Sequence, residues 1–172
     1  MLIQQNVNGF DFFNRSWAEF KVGFNDSSGN YWLGNELLSQ LTLSGSYKLK
    51  FDLQSRSNTS NWHSAVYSIF VVLGESVNYR LVVDGYSGNA GRDAFGSDYH
   101  NGMMFSTYDR DNDQWSSGNC AVREGGGFWY RDCAICDVNA VRANYRPYLE
   151  FGWEGLPGGG HLQSSRMWLQ CK

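Results

Sequence analysis

The most regular pattern of apolar and polar positions lies between Ser46 and Leu53. Tyr47, Leu49, Phe51 and Leu53 alternate there with Lys48, Lys50 and Asp52. A period of two sends one set to a core and the other to water, which predicts a strand. Ala65–Leu73 is almost wholly apolar and reads as a central strand. Gly74-Glu75-Ser76 follows as a turn, and Val77–Val83 as the returning strand. Strands joined by so short a turn run antiparallel. Upstream, Ser16-Trp17-Ala18-Glu19 has the spacing of a capping box and predicts a short helix to about Val22, ended near Gly23. Tyr31-Trp32-Leu33 reads as a strand turning at Gly34. Asn35 then stands where it could cap a second short helix bearing Leu37, Leu38 and Leu41. The expected class is α+β, a twisted antiparallel sheet with a few short helices.

Past Asp84 this regularity fades. Gly85 to Gly102 is rich in Gly, Asp, Asn and Ser, and loops of that length usually carry function. Tyr86, Phe95, Tyr99, Met103 and Phe105, spread through the segment and just beyond it, argue that these loops pack. The organisation expected is one domain in two parts: a sheet subdomain over 1–84 and a loop-rich binding subdomain with a closing strand over 85–172. A chain of 172 residues is long enough to bury a real core. Aromatic residues make up 16% of it, so that core can be filled with few aliphatics. The net charge of −3 and the lack of a basic stripe argue against nucleic acid as a partner. Ile69–Leu73, the longest strongly apolar run, is far too short to span a bilayer. The opening MLIQQNVNGFDFF shows neither the basic nor the apolar region of a signal peptide.

Candidate chemistry concentrates in the second half. Asp109-Arg110-Asp111-Asn112-Asp113 places carboxylates two apart in an irregular loop, where they could converge on a hard cation such as calcium. An EF-hand is excluded, because Gln114 and Cys120 stand where that loop needs Gly and Glu; a solvated acidic turn is the alternative. The 4 cysteines, at 120, 133, 136 and 171, permit two disulfides in three connectivities. Sequons at Asn14, Asn25 and Asn58, together with paired cysteines, point to an extracellular, glycosylated protein. Gly125-Gly126-Gly127 before Phe128-Trp129-Tyr130 reads as a recognition loop or as core packing, with Trp129 assigned to the core. The Cys133-Ala134-Ile135-Cys136 spacing lacks a second CxxC, and His63, His100 and His161 are scattered, so redox and zinc chemistry are disfavoured. His63 and His100 read as surface or loop residues. Neither a G-x-S-x-G elbow nor a phosphate-binding loop occurs, and Gly158-Gly159-Gly160 reads as a flexible loop; the chain is expected not to be an enzyme.

Taken in order, several segments resemble the fibrinogen C-terminal domain family, which includes ficolins, tachylectins, tenascins and angiopoietins. They are Phe12-Phe13-Asn14-Arg15-Ser16-Trp17 with Val22-Gly23-Phe24, then Asn30 to Glu36 (NYWLGNE), and Gly88-Asn89-Ala90-Gly91. Phe105-Ser106-Thr107-Tyr108-Asp109, Asp111-Asn112-Asp113, Gly118-Asn119-Cys120-Ala121 and Phe128-Trp129-Tyr130-Arg131-Asp132-Cys133 follow. The resemblance implies a calcium site made by the carboxylates of Asp111 and Asp113 and the carbonyls of Trp115 and Ser117, with Asp109 as a supporting carboxylate. It implies a Cys120–Cys133 disulfide and a cis Asp132–Cys133 peptide. The backbone amides of Asp132 and Cys133 would then face a pocket for the acetyl group of a glycan, walled by Phe128, Tyr130 and Tyr145.

The sequence also departs from its relatives. Ala134 stands where the family often has His, which removes a polar contact from that pocket. Cys136 stands where the family has Ser, and Cys171 where it often has Pro; the two are candidates for an extra bridge, a free thiol or an interchain link. The family's N-terminal subdomain, with its own cysteine pair, has no counterpart before Ile3, so the chain resembles an N-terminally truncated domain. The expected function is secreted, calcium-dependent recognition of acetylated or acidic glycans, in innate-immune or matrix settings. The alternative is a protein-binding module of the angiopoietin or tenascin kind. No membrane insertion is expected, and a homo-oligomer would form through the missing N-terminal region.

Overall fold

The computed structural model describes residues 1–96, 99–142 and 151–172. Its first helix, α1 (Trp17–Val22), starts as the capping box requires: Ser16 accepts the Glu19 N–H, and the Glu19 carboxylate accepts the Ser16 N–H. The second, α2 (Asn35–Ser44), departs from expectation at its start. Gly34 is the N-cap residue and makes no side-chain cap bond, while Asn35 lies inside the helix and its Oδ1 accepts the Trp32 indole N–H at 3.1 Å. Gly34 sits at φ 107, and a Cβ there would come within 2.8 Å of the Val22 carbonyl carbon. Only glycine lets these two chain segments pass so closely.

The main sheet has seven strands in the order β2-β3-β1-β9-β4-β5-β6. They are β1 (Leu2–Asn6), β2 (Phe24–Asn25), β3 (Tyr31–Trp32), β4 (Tyr47–Ser55), β5 (Trp62–Val72), β6 (Leu81–Gly88) and the C-terminal β9 (Leu162–Cys171). Every pairing is antiparallel. The alternation read from β4 is the observed one, with Leu49, Phe51 and Leu53 buried and Lys48 exposed. The return strand begins at Leu81 rather than Val77. Glu75–Val77 instead winds into a 3₁₀ turn, and Asn78 and Tyr79 follow with φ of 55° and 49°. Tyr79 holds that bend: its ring stacks on Trp17, its hydroxyl donates to Glu36, and its carbonyl accepts the Trp129 indole N–H. β6 runs on to Gly88, past the point where the apolar pattern fades.

The loop-rich part carries α3 (Cys120–Glu124) and a small sheet of β7 (Cys136–Asp137) and β8 (Gly152–Trp153). A single core, largely aromatic, joins it to the main sheet. Phe51 packs on Phe95 and Trp153, and Trp32 on Phe105 and Trp129. Beside it runs a buried polar seam. The Gln4 amide donates to the Val138 carbonyl and to Asn139, and the Asn6 amide also reaches the Val138 carbonyl. Satisfied buried polar networks of this kind fix one arrangement of the elements they join. Among the described residues, no helix is long and apolar enough to cross a membrane.

Candidate functional site

The acidic loop folds back on itself through its own carboxylates. Asp113 Oδ1 accepts the Trp115 N–H at 2.8 Å, and Oδ2 accepts the Cys120 N–H at 2.8 Å. Asp111 Oδ1 accepts the Asp113 N–H at 3.2 Å. Burial, first, and the neighbouring Asp111 carboxylate raise the Asp113 pKa, while bonds from the Cys120 and Trp115 amides oppose the rise. Two carboxylates held together in a partly buried loop repel each other, and a divalent cation relieves that repulsion. Each oxygen keeps a lone pair beyond the one spent on an amide. Oxygen donors alone, in an irregular loop, suit calcium. The residues present therefore fit that ion, and the Ser117 carbonyl and the Trp115 carbonyl, which accepts the Gly118 N–H at 3.2 Å, would be the further donors.

Asp109 faces elsewhere. Its Oδ1 accepts the Trp17 N–H at 2.9 Å and the Thr107 hydroxyl at 2.7 Å, so it ties the loop to the start of α1. The Trp115 ring lies over Gly118, where a Cβ would approach it to 2.5 Å, and the Arg123 guanidinium sits 5.3 Å from its centre.

A disulfide joins Cys120 to Cys133, linking the acidic loop to the segment after the aromatic trio. The Asp132–Cys133 peptide is cis. Asp132 is exposed and its carbonyl accepts the Tyr99 hydroxyl at 2.7 Å. Among the described residues no hydrogen bond engages the N–H of Asp132 or of Cys133. Behind them His100 is fully buried, not a surface or loop-exposed residue. Its Nδ1–H donates to the Trp129 carbonyl at 2.8 Å, and Nε2 faces the Ile135 and Cys136 amides at 3.4 and 3.5 Å. Burial holds its pKa down to about 4. The neutral ring props the back of the 133–136 segment, a role that a lone His in a glycine-rich stretch does not announce.

Residues 1–155 match the family described as the fibrinogen beta and gamma chains, C-terminal globular domain. The chain belongs to the fibrinogen C-terminal domain family. It is 43% identical over 126 residues to tenascin of Gallus gallus, covering 73% of this chain and 7% of that protein. It is 36% identical over 172 residues to fibrinogen-like protein 1 of Mus musculus, covering 90% of this chain and 54% of that one. The chain thus spans about half the length, or less, of these relatives. Among solved structures it resembles the fibrinogen-like globe domain of human ANGPTL6, with a TM-score of 0.86 and 35% identity, covering 99% of this chain and 77% of that one. A lamprey fibrin D-dimer, solved with the peptide ligand Gly-His-Arg-Pro-amide, aligns with a TM-score of 0.82 and 32% identity, covering 99% and 60%.

Within this fibrinogen C-terminal domain the expected ligand residues separate. Asp132 lies at the surface, Cys133 just beneath it, and Tyr145 falls outside the described residues. Phe128 and Tyr130 are not pocket walls, because both rings are fully buried. Phe128 packs between Phe95 and Trp129. The Tyr130 hydroxyl lies 2.7 Å from the Gly126 carbonyl and 2.6 Å from Asp137 Oδ2. One phenolic proton cannot serve both acceptors. Burial, first, pushes the Asp137 pKa well up, while the Tyr130 hydroxyl and the Asn139 amide, both donating to its carboxyl group, oppose the rise. The extra bridge between Cys136 and Cys171 does not form. Cys136 is buried in β7 with its thiol on the Ala94 carbonyl, whereas Cys171 is exposed at the end of β9 opposite Tyr47. Asn14, Asn25 and Asn58 are all exposed.

Proposed function

We propose that this fibrinogen C-terminal domain is a secreted, calcium-dependent recognition module whose loop subdomain binds an acetylated or acidic glycan and does not turn it over. The single observation behind this reading is the Asp111–Asp113 pair, anchored by Asp113 to the Cys120 amide and so to the disulfide that also holds Cys133. When bound, calcium supplies a hard positive centre that offsets the repulsion between the two carboxylates. The chain's own part is to hold the loop: Asp113 fixes the backbone at Trp115 and Cys120, Asp109 fixes it to α1, and His100 supports the far side. The unengaged amides of Asp132 and Cys133 are the donors for an acetyl carbonyl. A single shallow site of this kind binds weakly, and several copies on one assembly would raise its avidity. Three exposed sequons and a disulfide support secretion.

A second reading, binding of a protein receptor by the same loops, draws support from two observations. Phe128 and Tyr130 are buried, which leaves the acetyl pocket without those walls, and Ala134 supplies no polar side chain. Calorimetry with N-acetylglucosamine and with glucosamine, each with calcium and with chelator, separates the two. Calcium-dependent heat from the acetylated sugar alone supports the glycan reading. A folded, calcium-binding protein that gives no heat with either sugar favours the receptor reading.

A further inference from the structure

Two hollows flank Asn14, the asparagine of the first sequon. One, of about 380 Å³, is lined by Asn14 and by Phe10, Asp11, Phe12 and Asp26 among others. The second, of about 420 Å³, is lined by Asn14, Tyr108 and Val122. The apolar side chains around them are bare: Phe10 is 63% exposed, Tyr108 46% and Val122 62%. The Phe12 ring packs on Phe13 and Phe24, whereas Phe10 enters no ring pair among the described residues. The first hollow is also polar. Asp26 holds its wall, with Oδ1 accepting the Ser28 and Asn30 N–H groups at 2.9 Å each. Among the described residues nothing engages the Asp11 carboxylate, the Ser28 hydroxyl, the Asn8 Nδ2 or the exposed Asn14 side-chain amide.

A bare ring beside free polar side chains suits a sugar. The C–H face of a pyranose is apolar and faintly positive, so it lies on the negative face of an aromatic ring. Its hydroxyl and acetamido groups then meet the surrounding donors and acceptors. Asn14-Arg15-Ser16 can supply that sugar itself, because it is an acceptor for N-linked glycans. We propose that Asn14 carries such a glycan, and that its first N-acetylglucosamine is seated in the first hollow on the Phe10 ring. The covalent tether keeps the sugar near that ring at an effective concentration on the order of millimolar, so weak contacts suffice to seat it. In the transfer step Asn14 Nδ2 bonds to C1 of the sugar, and the C1–O bond to the lipid diphosphate of the oligosaccharide donor breaks. The diphosphate leaves with the electron pair, and one amide proton passes to a base of the transferase. The Ser16 hydroxyl, which the transferase reads, ends in the capping box, donating to Glu19 at 2.9 Å. Transfer therefore precedes the folding of α1. This inference rests on the secreted reading above, and on neither calcium nor the acetyl-group site.

The test uses protein secreted from cultured animal cells behind a supplied signal peptide, so its outcome does not depend on natural secretion. Release of the glycan by peptide N-glycosidase in ¹⁸O water, followed by peptide mass mapping, should mark Asn14 as modified. The glycosylated parent should melt about 3 °C above Asn14→Gln from the same cells. Trimming the glycan to its first N-acetylglucosamine should keep that increment. Phe10→Ser, at an exposed ring, should lose it, with Phe10→Ser plus Asn14→Gln measuring what the ring contributes without the sugar. Tyr108→Ser, in the second hollow, should keep it. An unmodified Asn14, equal melting of parent and Asn14→Gln, loss of the increment on trimming, or an increment that survives Phe10→Ser or falls in Tyr108→Ser would overturn the assignment.

Discussion

Asp113 Oδ2 accepts the backbone N–H of Cys120 at 2.8 Å, so the carboxylate that faces Asp111 also fixes the first half-cystine of the Cys120–Cys133 bridge. The acidic loop is thereby joined to Cys133 through a hydrogen bond and a covalent link. That linkage underlies the first two predictions below.

Calcium should stabilise the native protein by an amount set by its concentration relative to Kd, about 2.7 kcal/mol at a hundredfold excess. In Asp111→Ala with Asp113→Ala the increment should vanish. Melting curves with calcium and with chelator measure it, and equal calcium shifts in parent and variant would remove the metal from this loop.

Gly118→Ala tests the same loop without touching a carboxylate. The new methyl meets the Trp115 ring, and overpacking of this kind costs about 2 kcal/mol. Displacement of Trp115 should also weaken calcium binding, read by calorimetry beside the denaturation midpoint. Stability lost with calcium affinity intact would show that the Trp115 carbonyl is no ligand.

His100 gives a pH dependence of known sign. Its folded pKa of about 4 lies below the unfolded value near 6.5, so the unfolded chain binds a proton that the native one refuses. Stability contributed by the neutral ring is complete above about pH 6.5, falls as the pH drops through the window to about 4, and levels off below it. The full effect is about 3 kcal/mol. Urea unfolding across that window should show a steeper pH slope in the parent than in His100→Gln; identical slopes would refute the assignment.

Asp137→Asn should be neutral or stabilising at pH 7. Burial raises the pKa of the native carboxyl above that of the unfolded one, so the parent loses stability as pH rises above the unfolded value near 3.9 and the amide does not. The Asn side-chain oxygen can still accept the Tyr130 hydroxyl as the carboxyl group does. A loss of more than about 2 kcal/mol at pH 7 would mean that the buried group is a carboxylate.

Much of this was legible in the sequence where local rules decide the outcome. The Ser16–Glu19 capping box and the alternation along β4 follow from spacing alone. The ordered motifs from Phe12 to Cys133 lead to the family. What escaped depends on contacts far apart in the chain. Tyr79 bends the backbone because Trp17, Glu36 and Trp129 meet it, and these lie up to 62 residues upstream and 50 downstream. Phe128 and Tyr130 are aromatic in the right place, but aromaticity does not tell a wall from a core, and here Phe95, Trp129 and the Asp137 carboxyl group enclose them. Cys136 and Cys171 are chemically able to pair, yet topology sets them on separate sheets. Arg56 and His161 are distant in sequence and become neighbours only when β9 inserts beside β4.

The central claim, that calcium and an acetyl-binding hollow work as one unit beside Cys133, is tested most directly by retention on immobilised N-acetylglucosamine. The folded protein would be applied with calcium, with chelator, and with calcium plus free acetate. Retention in calcium that is lost to both chelator and acetate is the predicted result. Passage straight through the column in calcium, by a protein whose melting temperature shows the ion bound, would contradict it.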